Sequence, residues 1–219
     1  MKKSLPIISA LITYLFLMGC ANDKPVDRKA VLEEMANREL KRVSQSEIIE
    51  EAKKIGDKIA QAAQEKLQEN LLQSISDSGI RGAMRFCTDN ASEILTSLDF
   101  SKDIQVMRVS QKFRNPENEP DSLELLILEA YEYSAENGIA LESTVQPEGR
   151  EVLMYTKPIT ISNGLCLQCH GTIGGEINEE DYAVIEATYP EDRAVSYRLN
   201  DLRGMWVIRI PKREVIRAL

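Results

Sequence analysis

The stretch Cys166-Leu167-Gln168-Cys169-His170-Gly171 holds the single histidine of the chain and two of its four cysteines. Two thiols three positions apart can each add to one vinyl group of the same porphyrin. A histidine directly after the second thiol is carried under the ring toward the iron. The spacing therefore points to one covalently held haem, a haem c, with Cys166 and Cys169 as thioethers and His170 as proximal iron ligand. Two other chemistries use the same residue types. A structural zinc ion would need Cys87, Cys166, Cys169 and His170 together, with neighbours Cys169 and His170 reaching one ion. A redox disulfide of the thioredoxin kind wants its pair at a helix start after a buried strand, whereas Thr160 to Gly164 reads as a loop.

The compartment can be read from the start of the chain. Met1 to Gly19 has Lys2 and Lys3, then an apolar run from Leu5 to Met18, too short and one-sided for a settled transmembrane helix. It reads as a signal peptide. It ends in Leu17-Met18-Gly19-Cys20, which resembles the lipobox of bacterial lipoproteins and marks Cys20 for lipidation. That resemblance implies a protein anchored to a membrane and facing the periplasm, and Ala21 after the lipidated cysteine implies the outer membrane. Removal of the signal peptide takes two lysines and no acids, leaving 25 basic against 35 acidic residues, a net charge of −10. So acidic a body repels nucleic acid and anionic lipid headgroups, which leaves the lipid as the tether.

Export also sharpens the cysteine count, because an unassigned thiol is unusual outside the cytoplasm. Cys20 goes to lipid, Cys166 and Cys169 go to haem, and Cys87 is left over.

The elements that must position these residues follow from periodicity and punctuation. Residues 1–19 form the signal peptide, residues 20–43 a tether with a short helix from Asp27 to Leu40, and residues 44–219 the main domain. Ser44-Gln45-Ser46-Glu47 is a capping box that opens a long helix. Ile48, Ala52, Ile55, Ile59, Ala63, Leu67, Leu71 and Ile75 form one apolar stripe along it, fit for packing on the domain or for a homodimer. Ser76 to Gly79 breaks that helix. Ile80, Met84, Cys87, Ala91 and Ile94 then share a second stripe, so Cys87 faces inward, either as a small buried hydrophobe or as a second axial ligand to iron.

Ile104 to Val109 reads as a strand, Asp121 to Asn137 as an amphipathic helix stopped by Gly138, and Ala140–Val145 with Glu151–Thr156 as a hairpin around Pro147-Glu148-Gly149. Glu179 to Glu186 is a short helix, and Met205 to Ile210 a final strand ended by Pro211. Helices first, then a strand, a helix and antiparallel strands make an α+β domain.

Three further stretches carry a resemblance: Ala83-Met84-Arg85-Phe86-Cys87, Arg114-Asn115-Pro116-Glu117-Asn118-Glu119-Pro120-Asp121, and Tyr189-Pro190 with Ala194, Tyr197, Asp201, Arg203 and Gly204. Together with the haem motif they resemble a bacterial family of exported, single-haem c-type proteins with a PAS-like sheet, long filed as a domain of unknown function. The likeness runs from about Lys66 to Pro211. It implies a PAS-like antiparallel sheet with flanking helices, and a haem held by His170 on one side and Cys87 on the other. Family members often carry glycine where this chain has Ser196 and Asn200. Arg114 is a candidate contact to a haem propionate, since a fixed cation forks well onto a carboxylate. Tyr197 and Trp206 read as pocket wall.

The function expected is a redox or small-ligand sensor held at the membrane, signalling through a separate redox or signalling partner. The alternative is a monohaem c-type cytochrome acting as a simple electron carrier. A methionine among Met84, Met107, Met154 and Met205 on the iron would move the reading that way. An enzyme is not expected, since the chain has no second histidine to work above an open iron face.

Overall fold

The computed structural model describes residues 27–37, 43–96 and 100–219, with 33, 35–37 and 86–96 described by backbone alone. The signal peptide, the tether cysteine Cys20 and the end of the first expected helix at Leu40 lie outside the described residues. The chain divides into two compact units, Met1–Arg42 and Val43–Leu219. In the first, helix α1 (Arg28–Asn37) is capped by Asp27, whose Oδ1 accepts from the backbone N–H of Lys29 at 2.9 Å and of Ala30 at 3.3 Å. Among the described residues no helix is long and apolar enough to cross a membrane.

The second unit begins with helix α2 (Gln45–Thr96). Its capping box is closed in both directions, Ser44 N–H donating to Glu47 Oε2 at 2.7 Å and Glu47 N–H to Ser44 Oγ at 3.2 Å. The break expected at Ser76 to Gly79 is a kink at one residue: Gly79 takes φ 69° and ψ −177°, a backbone region open essentially to glycine, and the helix resumes beyond it.

Four antiparallel strands, β1 (Gln105–Val109), β2 (Thr144–Glu148), β3 (Val152–Thr160) and β4 (Leu202–Pro211), form a sheet in the order β1-β4-β3-β2. Alternation along the central strands sends two sets of side chains to opposite faces. Leu153, Tyr155, Trp206, Ile208 and Ile210 meet Ala52, Ile59, Ala60 and Ala63 of α2, with Val215 of α6 (Lys212–Ala218) closing the end. Met154, Met205, Val207 and Val109 meet Leu128 and Tyr131 of α3 (Ser122–Glu136) on the other face. The fold is therefore an α+β domain with a PAS-like antiparallel sheet between flanking helices. The apolar stripe of α2 from Ile48 to Leu67 is spent on its own sheet.

Two short-range readings are corrected here. Pro147, expected in the hairpin turn, lies within β2 opposite Leu153. β2 is an edge strand, where a missing N–H costs the ladder nothing, and the turn falls instead at Gly149 with φ 64°. Pro211 closes β4 but also opens α6, which the sequence pattern did not announce.

Helix α2 approaches the sheet closely at one point. A Cβ at Gly56 would run into the ring of Tyr155, which is fully buried. The Tyr155 hydroxyl donates to Asp57 Oδ1 at 2.6 Å, and Lys157 Nζ and Ser143 Oγ approach the same oxygen at 3.3 and 3.4 Å. Partial burial raises the Asp57 carboxyl, but the bonds from Tyr155 and Lys157 outweigh it and leave Asp57 below its ordinary value. Burial and the neighbouring Asp57 push the Tyr155 phenol upward, so it stays a donor.

Candidate functional site

Helix α4 (Gly164–His170) carries Cys166, Cys169 and His170. Asn163 caps it, its Oδ1 accepting from Leu165 N–H at 3.0 Å. The loop expected from Thr160 to Gly164 shrinks to residues 161–163, because Thr160 still pairs in β3 and Gly164 already begins the helix. A largely buried strand thus does lead into the cysteine pair, which is the setting a redox disulfide would want. The environment of His170 separates the readings.

His170 Nδ1 lies 2.8 Å from the Ala194 carbonyl oxygen. A carbonyl can only accept, so Nδ1 carries the proton and Nε2 presents a lone pair. Burial pushes the imidazole well below its ordinary pKa, and the charges of Arg203, Arg114 and Arg108 push the same way against the Ala194 bond. The ring is a neutral, oriented imidazole at neutral pH, with Nε2 as an acceptor. A disulfide pair needs no such histidine. Of the zinc set, the three described members Cys166, Cys169 and His170 do not gather as a metal cluster.

The loop after helix α5 (Glu179–Thr188) holds this geometry. Ser196 and Tyr197 N–H groups donate to the Gly171 and His170 carbonyls at 2.8 and 2.9 Å. Ser196 and Asn200 stand where the resembling family often has glycine, and they adopt φ 62° and 72°, so the left-handed turns are kept without glycine. Arg114 acts as a strut. Its Nη2 donates to the Cys169 carbonyl at 2.6 Å and the Ala194 carbonyl at 3.2 Å, and its Nε to Asp192 Oδ1 at 3.2 Å. Asp192 is fully buried, and its Oδ1 also caps Ala194 N–H at 2.8 Å. Most of the Arg114 fork is thus turned to protein groups that fix His170 and the end of α4.

Tyr197 packs edge-on to His170, ring centroids 6.1 Å apart at 85°. Lys112 Nζ lies 4.1 Å and the Arg203 guanidinium carbon 5.4 Å from the Tyr197 ring centre. Arg203 is pushed down to about 10 by burial first, with Arg114 and Arg108 adding to it and Tyr197 and Asp192 opposing. Burial and Arg203 also push Lys112 down. Trp206 is buried in the sheet face toward α2, with Arg108 5.6 Å over its ring. Between α2 and the end of β3 a cleft of about 360 Å³ is lined by Ala60, Gln64, Ile159, Ser162 and Trp206 among others. Ser162 Oγ lies 4.0 Å from Cys166 Sγ, so the cleft opens beside the cysteine pair.

The expected second ligands separate by position. Met154 and Met205 are fully buried and Met107 packs beside them, all in the core under α3, apart from the cluster of Ile161, Leu167, Ala194 and Tyr197 around α4. Those three methionines are core residues and are removed from the ligand candidates. Met84 is buried on α2 beyond the kink. Cys87 belongs to the same helix, and its side chain lies outside the described residues. Arg81 joins this segment to α5 through Asp181 at 3.0 Å and Glu180 at 3.1 Å. Asp192 and Lys112 are not singled out by the sequence, and Ala194 enters there only through the resemblance, with no role for its carbonyl. They lie 22, 58 and 24 residues from His170, and no local pattern links them to it.

The family model described as Tll0287-like, Tll0287, matches residues 38–211. The chain belongs to this family. Its fold is similar to the crystal structure of the cyanobacterial heme-protein Tll0287, with a TM-score of 0.51 and 26% sequence identity, over 69% of this chain and 92% of that one. No curated protein matches the chain. The family match spans α2, the sheet, α4 and the loop that orients His170.

Proposed function

We propose that this chain is a haem protein that holds one haem c and serves as a redox or small-ligand sensor at a membrane surface facing the periplasm. The observation that carries the reading is His170: a neutral imidazole whose Nδ1 is engaged by Ala194, leaving Nε2 for a metal, one residue after two thiols spaced for thioether bonds. That the family relative is a heme protein supports it. The group, when bound, supplies one-electron chemistry; the chain supplies Cys166 and Cys169 as anchors, His170 as ligand and Cys87 as the opposing ligand. Cys87 favours the thiolate while the metal carries positive charge. A lower charge on the metal would favour the Cys87 thiol over the thiolate, and the segment beyond Gly79 would be the part of the chain to respond. The output passes to a separate redox or signalling protein, with α2 as the contact.

Matured in a periplasm with haem-attachment machinery, the protein is expected to keep its colour through acid–acetone extraction. Colour that leaves entirely with the solvent would overturn the covalent reading.

The tether is proposed to be lipid on Cys20, in the outer membrane. Replacement of Cys20 with serine is expected to release the protein into the soluble periplasm or to stall its processing. Unchanged mass and membrane association in that variant count against the anchor.

A second reading is a simple electron carrier, which would present a haem edge to a redox partner and hold both ligands in either oxidation state. A fully reversible potential without loss of a ligand selects the carrier over the sensor. Neither reading makes the chain an enzyme.

A further inference from the structure

Arg203 and Lys112 are the cations of this site whose side chains no protein carboxylate pairs. Among the described residues neither forms an ion pair, and their hydrogen bonds go to backbone carbonyls: Arg203 Nη1 to Lys112 at 3.1 Å, Lys112 Nζ to Val195 at 2.6 Å. Arg114 and Arg203 act on each other, and both act on His170, while Arg203 also acts on Lys112. Asp192 Oδ1 is taken by Arg114, and Asp201 accepts from Arg198 N–H at 2.7 Å. A guanidinium set among protein groups with most of its donors open, and repelled by its neighbours, is costly unless an anion compensates it. Tyr197 is the shared neighbour: both cations lie against its ring, and its ring packs edge-on to the imidazole.

We propose that Arg203 and Lys112, lying against Tyr197 beside His170, form the seat for the carboxylate groups of the cofactor held by Cys166 and Cys169. The expected propionate contact thereby passes from Arg114, whose donors face protein, to this pair. The inference rests on the haem reading and specifies how the site binds the charged edge of that group. Arginine suits it by its planar fork and permanent charge.

The test uses the holoprotein and the variants Arg203→Gln, Arg203→Lys and Lys112→Gln, read by resonance Raman and by redox titration. Removing either charge is expected to shift the propionate bending band. It should also favour the ferric state about tenfold at a given potential, a fall of about 59 mV for one electron. Axial-ligand bands should stay in place, and Arg203→Lys should restore both readouts toward the parent. Lys112 is exposed, so Lys112→Gln carries the test even where Arg203→Gln fails to fold. A potential that shifts with an unmoved propionate band means the charges are merely nearby and overturns the seat. So do variants that match the parent in both. A parent that carries no covalent haem overturns the functional reading itself, and this inference with it.

Discussion

The Cys87→Ala variant is expected to keep its covalent haem, to lose a low-spin thiolate-type ferric spectrum for a high-spin or water-bound one, and to gain a more positive potential. Attachment depends on Cys166 and Cys169, which sit on α4, a different element from Cys87 on α2, so the colour survives. A thiolate donates electron density to iron and stabilises the ferric state; alanine removes that donor. Axial-ligand identity can move a haem potential over about 0.8 V, so the rise should exceed the tenfold, roughly 59 mV, effect of a single neighbouring charge. Met107, Met154 and Met205 lie in the core under α3, and Met84 lies on the segment beyond Gly79 that also carries Cys87. Spectroelectrochemistry of the two proteins decides it. A ferric spectrum and potential equal to the parent's would make Cys87 a packing residue, with a methionine or an open site in its place, and Met84→Ala then separates those two.

The Gly56→Ala variant is expected to lose about 3 kcal/mol of stability, although alanine is the better helix former by about 1 kcal/mol. The added Cβ meets the ring of Tyr155, and that ring has nowhere to go. It is fully buried between α2 and the sheet, and its hydroxyl is fixed at 2.6 Å to Asp57 on the next helical residue. Relief would require α2 to lift from the sheet along the contact that Ala52, Ile59, Ala60 and Ala63 make. For a domain of this size the loss corresponds to a fall in melting temperature of about 6–12 °C. A double-mutant cycle with Tyr155→Ala isolates the cause, because the small side chain removes the obstacle and the two losses should then fall short of additivity. An unchanged or higher melting temperature in Gly56→Ala would show that the helix does not lie this close.

How much of this was legible in the chain depends on the range of the forces involved. The capping box at Ser44, the helix start at Asp121, the apolar stripe of α2, the stop at Gly138 and the break at Gly79 are set by contacts within a few residues, and they can be read off the sequence. The Cys166-Cys169-His170 spacing belongs to the same class, since both thioether chemistry and helical spacing are local. Thr160 reads as loop and Pro147 as turn in the sequence because strand length depends on the partner: β3 runs to Thr160 only because β4 pairs with it. Which face a methionine buries is likewise set by sheet order, and β1-β4-β3-β2 cannot be ranked from periodicity.

The electrostatics of the site came from tertiary structure alone. Arg114 could be picked out as a fork for a carboxylate, but its strut role depends on the carbonyls of Cys169 and Ala194, 55 and 80 residues away. The tautomer of His170 depends on one backbone oxygen 24 residues on. Sequence by itself determined the reactive groups and the helices that carry them, because residue type and spacing are chemical facts of the chain. The fold decided which nitrogen of His170 is engaged by the backbone and which is left as an acceptor, and it set Arg203 and Lys112 against Tyr197, because burial and charge act through space.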